Sequence, residues 1–76
     1  MENLGLGKVL LVEDDEKLAG LIAHFLSQHG FEVRVEHRGD EALAAFLDFT
    51  PKIVVLDLML PGEGGLHVCR GILAVS

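Results

Sequence analysis

The chain has 76 residues, half of them hydrophobic, and a formal net charge of −6 at pH 7. A chain of this length forms one domain at most and buries only about 60–65% of the surface that it exposes when unfolded. With six Lys and Arg residues in total, it lacks the basic face that nucleic-acid phosphates or anionic membranes require, so we expect no direct contact with either.

The cysteine content and the N-terminus predict a cytoplasmic protein. Cys69 is the single cysteine and cannot form an internal disulfide, and residues 1–4 lack the basic start and apolar core of a signal peptide. The apolar runs are all shorter than the roughly 18 residues of a membrane span. We therefore expect a cytoplasmic location and no membrane contact.

The first strand and helix are predicted from a change in hydrophobic period. A continuous apolar run predicts a strand at about 8–13 that is buried on both faces. Helical spacing then predicts a helix over about 15–29, capped by Asp15 and closed by Gly30 in the left-handed conformation. The apolar residues expected to form its buried stripe are Leu18, Leu21, Ile22, Phe25 and Leu26.

The second strand and helix follow the same logic. Strict alternation of apolar and polar residues over 31–36 predicts a strand with one solvated face, which is typical of a sheet edge. A second helix is predicted over about 40–49 and ends before Pro51, because the residue preceding a proline avoids helical geometry. Its expected buried residues are Ala42, Leu43, Phe46 and Leu47.

A third apolar run predicts a strand at about 52–57 that is, like the first, buried on both faces. Proline and three glycines over 61–65 predict a turn, and a short helix is expected over about 65–74. The order βαβαβα predicts an α/β domain with a parallel sheet, right-handed crossovers and helices on both faces.

Two of the apolar strands end in acid. Glu13 and Asp14 follow the first strand, and Asp57 follows the third. Ligands of parallel sheets bind at the carboxyl ends of the strands, so these carboxylates share one crevice if the two strands are neighbours. Their mutual repulsion favours a hard divalent cation such as Mg²⁺ among them. Asp57 beside that metal can attack an activated phosphoryl group and form an acyl phosphate.

Other kinds of site find less support. A phosphate-binding loop of the pattern G-x-x-x-x-G-K-[ST] would need glycine in place of Glu2 and a hydroxyl residue in place of Val9. The four histidines do not cluster, and one cysteine provides no zinc-binding pair. We interpret the histidines, including His24 and His37, as surface residues.

The segments 8–15, 56–62 and 65–70 resemble, in order and spacing, the receiver domain of two-component response regulators. The Glu-Asp pair and the Leu-Pro-Gly after the third strand are most similar to the OmpR/PhoB group, and the resemblance covers essentially the whole chain. It implies a three-layer, flavodoxin-like, doubly wound parallel sheet with strand order 2-1-3. Residues 1–76 would form the N-terminal βαβαβα part of such a domain.

The resemblance also implies roles for individual residues. Asp57 would be the phosphoacceptor, Glu13 and Asp14 the metal-binding pair, and the carbonyl of Met59 a backbone ligand of Mg²⁺. The phosphoryl donor would be a sensor histidine kinase, and phosphotransfer would be self-catalysed, so we expect no enzyme in the usual sense. The full-length protein would control transcription through a DNA-binding domain outside these 76 residues.

A second hypothesis comes from two strands that complete receivers of this family have. Complete receivers have two further strands, bearing a Ser or Thr and then a Lys that reach the phosphoryl oxygens, and the 76 residues contain neither strand. The alternative is therefore a fragment unable to accept phosphate that forms a homodimer, either by pairing of the unprotected third strand or by exchange of elements.

Overall fold

The chain folds into alternating strands and helices in the described residues of a computed structural model, which are 5–57 and 70–74. The elements are β1 (Gly7–Val12), α1 (Glu16–Gln28), β2 (Phe31–Glu36), a 3-10 turn (Gly39–Glu41), α2 (Ala42–Phe49) and β3 (Ile53–Leu56). Residues 70–74 form a further helical turn, here α3. The ends of these elements lie within one or two residues of the bounds expected from sequence, and 65–69 of the expected last helix fall outside the described residues.

The three strands form one parallel sheet in the order β2-β1-β3. This order confirms the predicted fold class. The register pairs Val12 with Glu36 on one side and with Leu56 on the other. The three carboxyl ends are therefore level, and residues that follow β1 and β3 emerge at the same edge of the sheet.

The central strand owes its position to its unbroken apolar sequence, since residues 9–12 are at most 1% exposed. Leu10 and Val12 pack against Ala42, Ala45 and Ile72, so α2 and α3 cover one face of the sheet. Alternation along the strand directs the remaining side chains of β1 to the opposite face, where α1 lies. Within residues 5–57 and 70–74, no helix is both long and apolar enough to cross a lipid bilayer.

Both ends of α1 are closed by the residues that the sequence predicts. The Asp15 carboxylate accepts a hydrogen bond from the backbone N–H of Leu18 at 3.0 Å, which satisfies one of the free amides of the first turn. The backbone N–H of His29 donates to the Leu26 carbonyl at 3.0 Å. Gly30 follows with φ of 99°, the left-handed conformation that glycine adopts without a Cβ clash.

The predicted buried faces of the helices are partly wrong. In α1 the fully buried residue is Ala19, whereas Leu21 and Phe25 are 70% and 59% exposed. In α2 the small residues Ala42 and Ala45 face the sheet, and Leu43 and Leu47 are exposed. Small residues let a helix backbone approach the sheet closely, so the larger side chains that flank them are displaced to the sides of each helix. Leu18 is exposed for the same reason.

Candidate metal and phosphoacceptor site

Three carboxylates meet at the carboxyl edge of the sheet. One oxygen from each of Glu13, Asp14 and Asp57 lies within 4.8 Å of the others. The backbone N–H of Asp57 donates to the Val12 carbonyl at 3.1 Å, so the pairing of β3 with β1 continues one residue beyond the strand. This bond sets Asp57 alongside the acid pair, although 43 positions separate it from Asp14 in the sequence.

The backbone of Glu13 is held from the side of β2. Its N–H donates to the Glu36 carbonyl at 2.9 Å, and its carbonyl accepts a hydrogen bond from Nδ1 of His37 at 2.9 Å. Its side chain folds back, because Oε2 accepts from the backbone N–H of Asp15 at 3.2 Å. Hydrogen bonds therefore hold both the backbone of the loop that carries the acid pair and the carboxylate of Glu13.

Hydrogen bonding, desolvation and like charge all act on the Glu13 carboxyl. The N–H of Asp15 has the largest single effect on the Glu13 carboxyl and lowers its pKa. Desolvation, the charge of Asp57 and the hydrogen bond and charge of Asp14 act in the other direction, and together they raise the pKa of Glu13 above its ordinary value. Three carboxylates within 4.8 Å of one another concentrate negative charge, which a bound cation would relieve.

The geometry fits a small, hard cation. Carboxylate oxygens are the ligands that Mg²⁺ prefers, and in its octahedral shell adjacent oxygens lie about 3 Å apart. Opposite oxygens lie about 4.2 Å apart, and the three carboxylate oxygens lie within 4.8 Å of one another, so small side-chain adjustments suffice for direct ligation. Asp14 is exposed and has room to rotate, while Glu13 and Asp57 are half-buried. Retained waters, which Mg²⁺ usually keeps, can bridge the remaining distance.

Two other residues complete the account. Met59, whose carbonyl the family resemblance implies as a ligand, lies outside the described residues. His37, which sequence reasoning assigned to the surface, is exposed but bonded to the acid loop. No local sequence pattern links His37 to Glu13, which lies 24 positions away. The contact could have been suggested only by the expectation that β2 and β1 are neighbouring strands.

A parallel α/β sheet with an acidic cluster at its carboxyl edge defines the class of protein, and comparison with known proteins defines the family. The family model described as the response regulator receiver domain matches residues 9–76. The chain therefore belongs to the response regulator receiver domain family and is a receiver domain of a two-component response regulator.

Relatives of known sequence and structure agree with this assignment. The transcriptional regulatory protein RstA of Escherichia coli K12 is 44% identical over 66 residues, which are 87% of this chain and 28% of that protein. The chain spans 28–30% of the length of the curated relatives that it matches most strongly.

Two solved receiver structures share the fold. The BeF3-activated receiver domain of RstA from Klebsiella pneumoniae has a TM-score of 0.88 and 40% identity, covering 91% of this chain and 59% of that one. The response regulator TrrA of Thermotoga maritima, in complex with Mg²⁺-BeF, has a TM-score of 0.85 and 30% identity, covering 91% of this chain and 60% of that one.

Proposed function

We propose that Asp57 accepts a phosphoryl group from the phosphohistidine of a sensor histidine kinase, with Mg²⁺ held by Glu13, Asp14 and Asp57. The observation that carries this proposal is the convergence of the three carboxylates within 4.8 Å at the carboxyl edge of the sheet. The family supports it, because receiver domains bind Mg²⁺ at an acidic pocket, and so does TrrA, which was solved with Mg²⁺-BeF.

The covalent chemistry of the transfer needs one nucleophile from the protein, and the remaining groups of the site position it and stabilise charge. A carboxylate oxygen of Asp57 attacks phosphorus, the P–N bond to the donor imidazole breaks, and its electron pair returns to the imidazole nitrogen. The product is an acyl phosphate on Asp57. Mg²⁺, when bound, neutralises charge on the phosphoryl oxygens.

The residues of the chain position the reacting group. The hydrogen bond from the Asp57 N–H to Val12 holds its backbone at the end of β3. Glu13 and Asp14 supply the anionic side of the metal site, which would repel the phosphoryl group without a cation. Because Asp57 is itself modified, we propose a phosphoacceptor and not an enzyme in the usual sense.

The regulator from which such a receiver comes would control transcription. RstA, which matches along most of this chain, is a transcriptional regulatory protein. Contact with DNA would come from a further domain, since the 76 residues hold only six basic side chains against twelve acidic ones.

The test is phosphorylation by a small donor. The chain is incubated with acetyl phosphate and Mg²⁺, and intact mass is measured. We expect a mass increase of one phosphoryl group in the parent chain and none in D57N. Asp48→Asn is the matched control, because Asp48 is exposed and paired with Arg34 at 2.8 Å; it should be modified like the parent. Equal modification of D57N and the parent chain would rule out Asp57 as the acceptor.

A second candidate function is self-association. β3 is an edge strand of the three-stranded sheet, and its Ile53 and Val55 are 43% and 40% exposed. Apolar edge strands can pair with other chains, and short length, charge, proline or a bulge opposes such pairing; β3 is short, with four residues. Its sequence IVVL contains no charged residue and no proline. A homodimer formed along this strand would act without phosphorylation.

A further inference from the structure

His37 reaches from the end of β2 to the loop that carries the acid pair. Its Nδ1 lies 2.9 Å from the carbonyl oxygen of Glu13. A carbonyl oxygen can only accept, so Nδ1 carries the hydrogen in this bond and Nε2 is left for solvent or for a ligand. The side chain is exposed. A histidine that served only as a solvated surface residue would not need this hydrogen bond.

The bond acts on the one peptide group that joins the two acids. The Glu13 carbonyl belongs to the same planar unit as the backbone nitrogen of Asp14. Fixing the direction of that oxygen therefore orients the peptide plane, and with it the nitrogen and Cα of Asp14 from which its side chain departs. The N–H of Glu13 donates in turn to the Glu36 carbonyl at 2.9 Å. Glu36 and His37, adjacent residues at the end of β2, therefore hydrogen-bond the two peptide groups that flank Glu13.

Asp14 is the member of the cluster that most needs such support. It is exposed, whereas Glu13 and Asp57 are half-buried, so packing restricts its side chain least. Groups that hold metal ligands in place commonly change metal affinity 10–100-fold when they are removed. Because the His37 hydrogen bond is exposed and joins a backbone carbonyl, we expect its removal to change the metal affinity by a factor near the lower end of that range.

We propose that His37 is a positioning residue of the acidic site: its hydrogen bond orients the Glu13–Asp14 peptide and thereby raises the affinity for Mg²⁺. The inference rests on the proposed function of that site. A purely structural role would tie β2 to the loop and stabilise the fold, but would leave the affinity for the metal unchanged.

The experiment measures Mg²⁺ affinity by isothermal titration calorimetry for the parent chain and three variants. His37→Ala should weaken binding about tenfold. His37→Asn should bind within about twofold of the parent, since the Asn Nδ2 donor occupies the place of the imidazole Nδ1. His24→Ala is the matched control, because His24 is an exposed histidine of α1, and it should bind like the parent.

A second measurement follows the peptide itself in the chain without metal. Hydrogen bonding at a carbonyl shifts the ¹⁵N resonance of the next amide, so the Asp14 amide should move in H37A and stay near its parent position in H37N. An unmoved Asp14 resonance in H37A, or a rescue that fails in H37N, would overturn the inference.

The outcomes separate this inference from the proposed function. A parent chain that takes up no Mg²⁺ overturns the proposed metal site and this inference with it. A parent chain that binds Mg²⁺ while H37A binds it equally tightly overturns the role of His37 alone and leaves the phosphoacceptor site standing.

Discussion

Individual residues of the acidic edge act against the stability of the fold. Glu13, Asp14 and Asp57 bring three negative charges within 4.8 Å of one another. Against the lowering effect of the Asp15 N–H, desolvation and then the charge of Asp57 raise the pKa of Glu13. Two unit charges about 4 Å apart repel by about 1 kcal/mol even when fully solvated. The arrangement is therefore costly without a cation and favourable with one, as expected where function and stability conflict.

The first prediction follows from this conflict. Asp57→Asn should stabilise the metal-free chain by about 1 kcal/mol, because it removes one of the three charges. The parent chain should gain about 1.4 kcal/mol when Mg²⁺ is present at ten times its dissociation constant, and D57N should lose most of that gain. Urea unfolding followed by circular dichroism, with and without Mg²⁺, measures both effects.

Asp48→Asn again serves as the control, because it removes an aspartate away from the site and should keep the full response to Mg²⁺. An equal response to Mg²⁺ in D57N and the parent chain would show that Asp57 does not contribute to the metal site.

Among the secondary-structure elements, α1 shows which features are encoded locally. Its cap, its terminating glycine and its length follow from neighbouring residues, and each agrees with expectation. Its buried face does not, because burial depends on where the helix meets the sheet. Ala19 is buried and Leu21 is 70% exposed, although hydrophobicity alone ranks them the other way.

The second prediction concerns the cap. Asp15→Ala should destabilise the chain by about 1 kcal/mol, since the N–H of Leu18 loses its acceptor. Asp15→Asn should keep most of the stability, because asparagine caps about as well as aspartate. Thermal unfolding of the three chains tests this. If D15A and D15N lose equal stability, the carboxylate acts through its charge and not through the capping bond.

For the whole molecule, the outer edge of β3 carries the surface on which the self-association candidate depends. The sheet has three strands in the described part of the chain, and β3 presents apolar side chains on both of its faces. Val54 and Leu56 line a recess of about 190 Å³ together with Ile72 and Leu73, and all four lining residues are apolar. Under the self-association candidate, this apolar surface pairs with a second copy of the chain.

The third prediction tests that partner. Light scattering over a range of concentrations should show a dimer for the parent chain and a monomer for Val55→Lys, because a charge on an edge strand opposes pairing. Leu21→Lys is the control: it places the same charge on an exposed apolar position of α1, away from the strand, and should leave the dimer intact. A parent chain that stays monomeric at all concentrations would remove the self-association candidate.

Much of this architecture was predictable from sequence, and the parts that were not share a cause. The unbroken apolar run of β1 predicts a strand buried on both faces, and the alternation of β2 predicts an edge strand; both are observed. The apolar run of β3 predicts the same burial as that of β1, but Ile53 and Val55 are 43% and 40% exposed because β3 lies at the edge of the sheet in the described residues. The acids after β1 and β3 were predicted to converge, but only on the condition that these strands are neighbours. That condition came from family resemblance and is met in the observed sheet.

The positions of the strands and of α1, the cap and end of α1, and the acids after two apolar strands are all encoded locally, because these features depend on residues a few positions apart. The approach of the Asp14 and Asp57 oxygens within 4.8 Å of each other depends instead on the folded chain. The same holds for the bond from His37 to the Glu13 carbonyl and for the burial of alanines in place of leucines on the helices. These outcomes depend on which elements pack together and how closely. Local hydrophobic periodicity does not specify such contacts between distant segments of the chain.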